Sequence, residues 1–218
     1  MQATIDPAHL SAYIASRICH DLVSSVSSIT NALDFMDEPN DSEMRVQAEK
    51  LLHDGADSAA CKLKFLRYAF GSVGLSKGAA DIHDAKQITE RFVASHNHQP
   101  EITWDIETEH LSFSHARLMM NMVMLALDCL PRGGTITIKV RNEPEGLETV
   151  VLATGKRFKL RDDTADAIAG TEPQDGWSAR TVQPLFTRII AEGLGGALRV
   201  EPREEEIALT VSGLRAEG

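Results

Sequence analysis

The pair His20-Asp21, within Arg17-Ile18-Cys19-His20-Asp21-Leu22-Val23-Ser24, is where the residue types of this chain point most directly to chemistry. A neutral imidazole nitrogen can attack phosphorus, and a neighbouring carboxylate can orient the ring or take its proton. His20 is therefore a phosphorylation-site candidate. Asp21 reads as that helper or as a solvated surface carboxylate, since the next residue on a helix points about 100° away. Arg17 suits a phosphoryl group or a partner's acidic pocket, because a guanidinium matches both, with an ion pair inside a helical bundle as the competing reading. Lys62, Lys64 and Arg67 form a small basic group that could meet an acidic surface, or simply the solvated side of an apolar stripe. His83, His96, His98, His110 and His115 lack metal-ligand spacing with any cysteine or carboxylate pair, so each reads as a surface histidine and no metal site is expected.

The element that must position His20 is a long helix. Ala8, Ala12, Ala15, Cys19, Leu22, Val26, Ile29, Leu33 and Met36 recur in steps of four and three, an apolar seam of the bundle kind. His20 lies about 100° around from Cys19, on the flank of that seam and within reach of solvent. Ser16, Ser24, Ser27 and Asn31 share its face, and such short polar side chains let another protein approach closely. A turn at Asp37-Glu38-Pro39-Asn40-Asp41-Ser42 ends the seam, and Ser42 or Asp41 can cap a second helix. That helix runs through Met44, Ala48, Leu51, Gly55, Ala59, Leu63, Leu66 and Phe70 until Gly71 and Gly74 end it. The two helices make an antiparallel hairpin that cannot cover both its apolar stripes, so two copies are expected to pair as a four-helix bundle and the protein to be a homodimer.

With 218 residues and 43% hydrophobic content the chain can build one large or two modest cores. Two units are expected, residues 1–76 and 77–218, joined near Gly74 to Gly78. In the second, residues 82–95 read as a helix, 101–106 as a strand, and 114–130 as a strongly apolar helix stopped by Pro131 and Gly133. A hairpin over 135–141 and 148–153, a helix over 179–192 and strands over 198–201 and 207–212 complete it. The fold class is therefore α+β: the helical hairpin followed by an α/β sandwich. A net charge of -10 argues against nonspecific nucleic-acid or anionic-membrane binding. Cys19, Cys61 and Cys129 read as reduced core residues rather than a disulfide framework or zinc site. The sequence has neither a signal segment nor an apolar run of membrane-spanning length, which points to a cytoplasmic protein.

This arrangement resembles the cytoplasmic half of a histidine kinase, a dimerising hairpin with the phosphorylated histidine followed by a Bergerat-type ATP-binding sandwich. In that pattern an Asn-x-x-x-Asn-Ala-x-Lys helix holds magnesium ahead of a Pro-x-Gly-Gly turn. Here the matching residues are Asn121, Leu125, Ala126 and Asp128, then Pro131-Arg132-Gly133-Gly134-Thr135-Ile136, so the second asparagine and the lysine are gone. The Asp-x-Gly-x-Gly motif that receives adenine is replaced by Ala153-Thr154-Gly155-Lys156-Arg157, and alanine cannot accept the adenine's hydrogen bond. Arg180-Thr181-Val182-Gln183-Pro184-Leu185 stands where a glycine-rich loop would cradle phosphates. These three losses argue against ATP binding, and Asn121 reads as a leftover of the ancestral pocket.

Lost nucleotide motifs beside a kept histidine are similar to the ChpT family of histidine phosphotransferases. The stretches that carry the resemblance are Ser16 to Ser24, Lys62-Leu63-Lys64-Phe65-Leu66-Arg67-Tyr68-Ala69-Phe70-Gly71, Leu130-Pro131-Arg132-Gly133-Gly134, and Val182-Gln183-Pro184 with Gly195-Gly196. Family members usually follow the serine with proline, whereas this chain has Ser25-Val26, so a weaker bend below the histidine is expected. The resemblance implies a cytoplasmic homodimer that takes a phosphoryl group onto His20 from the receiver domain of a hybrid histidine kinase and passes it to response regulators such as a CtrA-like DNA-binding protein. It implies no bound cofactor, with magnesium supplied by the receiver; the residues themselves offer Arg17, Ser24, Ser27, Asn31, Lys62, Lys64 and Arg67 as the receiver-docking candidates. An active histidine kinase and a noncatalytic docking scaffold for receivers are the alternatives.

Overall fold

Helix α1 spans Pro7–Met36 in one run in the computed structural model, which describes residues 5–37, 42–76, 78–96, 98–108 and 111–215. Asp6 starts it, its carboxylate accepting from the backbone N–H groups of Ala8 and His9, and Pro7 sits where a helix needs no N–H. Val26, lacking the constraint of a proline ring, leaves the helix uninterrupted below His20. Helix α2, Ser42–Ala69, runs back against it. Ser25 Oγ meets Ser58 Oγ at 2.9 Å, and Lys62 Nζ donates to Ser25 Oγ at 3.1 Å and Ser24 Oγ at 3.4 Å. Gly55 lets the backbones close, since a Cβ there would lie 3.0 Å from Ile29 Cγ1 and 3.3 Å from the Ser25 carbonyl oxygen.

Small residues such as Ser25 and Ala32 fill this contact, which leaves larger apolar groups outside it. Val26 and Leu33 of the expected seam are 50% and 47% exposed, as are Val23 at 57% and Leu63 at 48%. Cys19 is exposed too, so of the three cysteines expected in a core only Cys61 and Cys129 are buried. The expected turn residues 38–41, with the alternative cap Asp41, lie outside the described residues.

Past α2 a 3-10 turn, Ser72–Leu75, occupies part of the expected linker. The chain continues through β1 (Ala79–Ala80), α3 (Ile82–Ala94), β2 (Glu101–Ile106), β3 (Leu111–Ser112), α4 (Phe113–Asp128), β4 (Thr135–Glu143) and β5 (Gly146–Thr154). It ends with α5 (Asp162–Ala169), α6 (Val182–Gly193), β6 (Ala197–Pro202) and β7 (Glu206–Leu214). Five strands form a sheet in the order β2-β4-β5-β7-β6, parallel between β2 and β4 and antiparallel elsewhere. Alternation along the strands turns Ile136, Ile138, Val140, Val151, Ala153, Ile207 and Leu209 into the core. Helix α4 packs there, buried at every position from His115 to Ala126 and apolar nearly all round, as a helix enclosed by sheet and helices must be.

Helix α5 has no counterpart among the elements expected from sequence. It is one or two turns too short for periodicity to reveal; its marks are Asp162 and Asp163 in the first turn and Gly170, φ 73°, after the last. The two glycines after Pro131 are required by the backbone: Gly133 and Gly134 take φ of 76° and 148°, and a side chain on Gly134 would strike the Thr154 carbonyl.

Candidate functional site

Helix α1 presents His20 to solvent, its side chain 74% exposed. Nδ1 lies 3.1 Å from Asp21 Oδ1, and because an ionised carboxylate only accepts, this is a hydrogen bond when Nδ1 carries the ring proton. Nε2 is then the basic nitrogen. Asp21 Oδ2 accepts from Arg17 Nε at 3.0 Å, one helical turn back, and the far side of the same guanidinium meets Asp128 Oδ2 at 3.4 Å from Nη1 and 3.5 Å from Nη2. Arg17 and Asp21 are themselves largely covered, at 11% and 14% exposure. Burial pulls the Arg17 pKa down, but the charges of Asp128 and Asp21 and the bonds to them outweigh it and hold the guanidinium above its ordinary value.

The expected site residues divide between two settings. Ser24, Ser27 and Asn31 are exposed on α1 with His20, and Lys64 and Arg67 are exposed on α2. Arg17 and Lys62 instead turn inward, Arg17 to two carboxylates and Lys62, 9% exposed, to the serines of α1. The basic group expected at Lys62, Lys64 and Arg67 is thus split by the helical period, which sends the first of them into the hairpin contact.

His20, Arg17 and Asp21 form one wall of a cleft of about 990 Å³ whose other wall comes from the sandwich, with Lys159, Arg161 and Arg180. Asp128, which the sequence marks only as standing where a kinase has lysine, lines the cleft as the partner of Arg17, and the opposite charge of Arg17 is the one signal of that pairing. His96, expected at the surface, is half-buried in the cleft, with Nδ1 2.8 Å from the Phe92 carbonyl. Burial lowers its pKa, aided by Lys62, against the opposing effects of the Phe92 bond and the Asp21 and Asp128 charges. His115 also departs from the surface reading, being 2% exposed with Nδ1 2.7 Å from Ser112 Oγ. His83 and His98 are exposed, and His110 lies outside the described residues. Among the described residues no group of three His, Cys, Asp or Glu is placed to hold a metal ion.

Asn121 is buried and committed. Its Nδ2 donates to the Ala69 and Arg117 carbonyls, both at 2.9 Å, and Gln183 Nε2 donates to its carbonyl at 2.9 Å. Arg117 Nε also bonds the Ala69 carbonyl, at 3.1 Å. Asn121 therefore ties α4 to the end of α2.

The model of the histidine phosphotransferase C-terminal domain matches residues 82–206. The protein phosphotransferase ChpT of Brucella abortus (strain 2308) is 27% identical over 210 residues, 96% of this chain and 98% of the relative. The structure of a bacterial phosphotransferase aligns with a TM-score of 0.85 at 26% identity, covering 97% of this chain and 100% of that one. The Acinetobacter baumannii histidine kinase AdeS aligns more loosely, with a TM-score of 0.47 at 13% identity over 88% of this chain and 95% of that one. A domain match over more than half the chain, with a phosphotransferase relative and a phosphotransferase structure aligned along nearly all of it, shows that the chain belongs to the ChpT-like histidine phosphotransferase family.

Proposed function

We propose that His20 is the residue through which this phosphotransferase moves phosphoryl groups between receiver-domain aspartates. The observation that carries the reading is the exposed imidazole at the edge of a cleft, with Nδ1 3.1 Å from Asp21 Oδ1; in the tautomer that donates this bond, Nε2 is the nucleophile. In-line attack on an aspartyl phosphate needs mainly positioning and charge neutralisation. The magnesium is the receiver's, Asp21 orients the ring or shares its proton, and Ser24, Ser27, Asn31, Lys64 and Arg67 supply exposed docking contacts. Lys62 contributes by tying α2 to the serines of α1, and Arg17 by holding Asp21 and reaching Asp128.

The division of labour is a phosphotransfer hairpin over residues 1–76 and an ATPase-like sandwich over 77–218. ATP is not the donor in this reading. Committed Asn121, Ala153 in place of the adenine acceptor, and buried Val182, Gln183 and Pro184 in place of a glycine-rich loop support that. The uncovered Val23, Val26, Leu33 and Leu63 support pairing of two hairpins in a homodimer. Donor and acceptor are the receiver of a hybrid histidine kinase and response regulators of the CtrA-like kind, met in the cytoplasm; no described helix is long and apolar enough to cross a membrane.

The test offers phosphorylated receiver domains, and separately labelled ATP, to the wild-type protein and to His20→Ala. Label taken from a receiver, refused from ATP and absent in the variant is the expected result. Uptake from ATP would mean a kinase, and receiver binding without uptake a scaffold.

A further inference from the structure

Asp128 belongs to the sandwich, yet its carboxylate reaches the helix that carries His20. Its own position is unfavourable: it is the last residue of α4, where the partial negative charge of a helix end repels a carboxylate, and no basic residue lies in that last turn. Arg17 compensates from the hairpin. Arg161, across the cleft, is already held by Asp163, with contacts of 3.0 Å and 2.7 Å. One planar guanidinium thus spans two carboxylates, Asp128 on its Nη side and Asp21 on its Nε side, and the second oxygen of Asp21 faces His20. The other end of α4 is fixed as well. Arg117, Asn121 and Asp128 fall on one face of the helix, and the first two bond the Ala69 carbonyl at the end of α2. Through this face α4 grips both arms of the hairpin.

We propose that Asp128 is a positioning residue for phosphoryl transfer at His20: through Arg17 it fixes Asp21, which holds the imidazole with its proton on Nδ1 and the Nε2 lone pair outward. The inference rests on the reading of His20 as the phosphoryl carrier. In the step, the Nε2 lone pair forms the nitrogen–phosphorus bond while the bond from phosphorus to the receiver's aspartyl oxygen breaks, its electron pair staying on that oxygen. The ring becomes positively charged, and the Asp21 carboxylate stabilises it with the Nδ1 proton kept between them. An Asp21 released from Arg17 would let the ring turn or adopt the other tautomer, in which Nε2 carries the proton and cannot attack.

The test compares full-length wild type, Asp128→Asn, Asp128→Glu, Asp21→Asn and the Asp128→Asn/Asp21→Asn pair. Two phosphoryl donors are used, a phosphorylated receiver domain and the small donor phosphoramidate, and the His20 tautomer is read from its ring nitrogen NMR shifts. Asp128→Asn is expected to slow uptake about tenfold from both donors and to raise the share of the Nε2-protonated ring, with partial recovery in Asp128→Glu. In the Asp21→Asn background it should add nothing, because both changes break one chain of contacts. Loss with the receiver but not with phosphoramidate would make Asp128 a docking residue and overturn the proposal. So would independent, multiplying effects, or an unchanged tautomer. If wild-type His20 accepts label from neither donor, the phosphoryl-carrier reading fails, and the tautomer measurement still decides whether Asp128 positions the ring.

Discussion

A histidine on an exposed helical face becomes a useful nucleophile when its second nitrogen is engaged. At His20 that engagement is a carboxylate one residue away, bent back to 3.1 Å because its other oxygen is tied to Arg17. Asp21→Asn keeps the size but removes the charge proposed to stabilise a phosphorylated His20; single-turnover transfer from a phosphorylated receiver is expected to slow about 100-fold, with receiver affinity unchanged. His96 gives a pH signature of a different kind. Its pKa is lowered in the fold, so as pH falls the unfolded chain takes up the proton first and the folded state loses ground. Stability from this group is therefore present above its unfolded pKa, about 6.5, and is lost progressively below it. Urea unfolding at about pH 7.5 and about pH 5.5 should show a smaller drop for His96→Gln than for the wild type.

The elements show how much the site depends on close helix contact. Small residues let α1 and α2 approach, and Gly55 is a point of close packing, with a Cβ position 3.0 Å from Ile29 Cγ1. A large side chain there has to push the helices apart. Gly55→Leu is expected to lower stability by about 1–3 kcal/mol in chemical denaturation, the usual range for overpacking a tight contact. Helix α4 works differently, through polar groups on one face of an otherwise apolar cylinder. Asn121→Leu would leave Gln183 Nε2 with fewer acceptors and the Ala69 carbonyl with Arg117 alone. A loss of about 1–3 kcal/mol is expected, with faster amide exchange at the end of α2, measurable by hydrogen exchange.

Across the whole molecule, the large apolar side chains left outside the hairpin point to a second copy. Val26→Glu, at a position 50% exposed in the single chain, should leave the monomer folded but lower the mass seen by light scattering to that of one chain. A wild-type mass of one chain would overturn the proposed homodimer, and an unchanged two-chain mass in the variant would move its interface elsewhere. Much of this architecture was legible in the sequence because it rests on periodicity and turn chemistry. The steps of three and four in α1 and α2, the alternation in β4, β5 and β7, and the glycines after Pro131 each encode a local geometry that repeats or cannot be met otherwise. His20 was legible for the same reason, since its angle from the seam follows from the helix alone. Helix α5 escaped because eight residues span too few turns for a period to stand out. Lys62 and His115 were misplaced because burial of a polar group depends on partners far along the chain, the serines of α1 for one and the packing around α4 for the other. By itself the sequence determined the long helices, the positions of most strands and the exposed histidine, all products of short-range pattern. Only the tertiary structure decided that Arg17 joins Asp21 to Asp128, 111 residues away, because an ion pair between distant segments exists only once packing has brought their charges together.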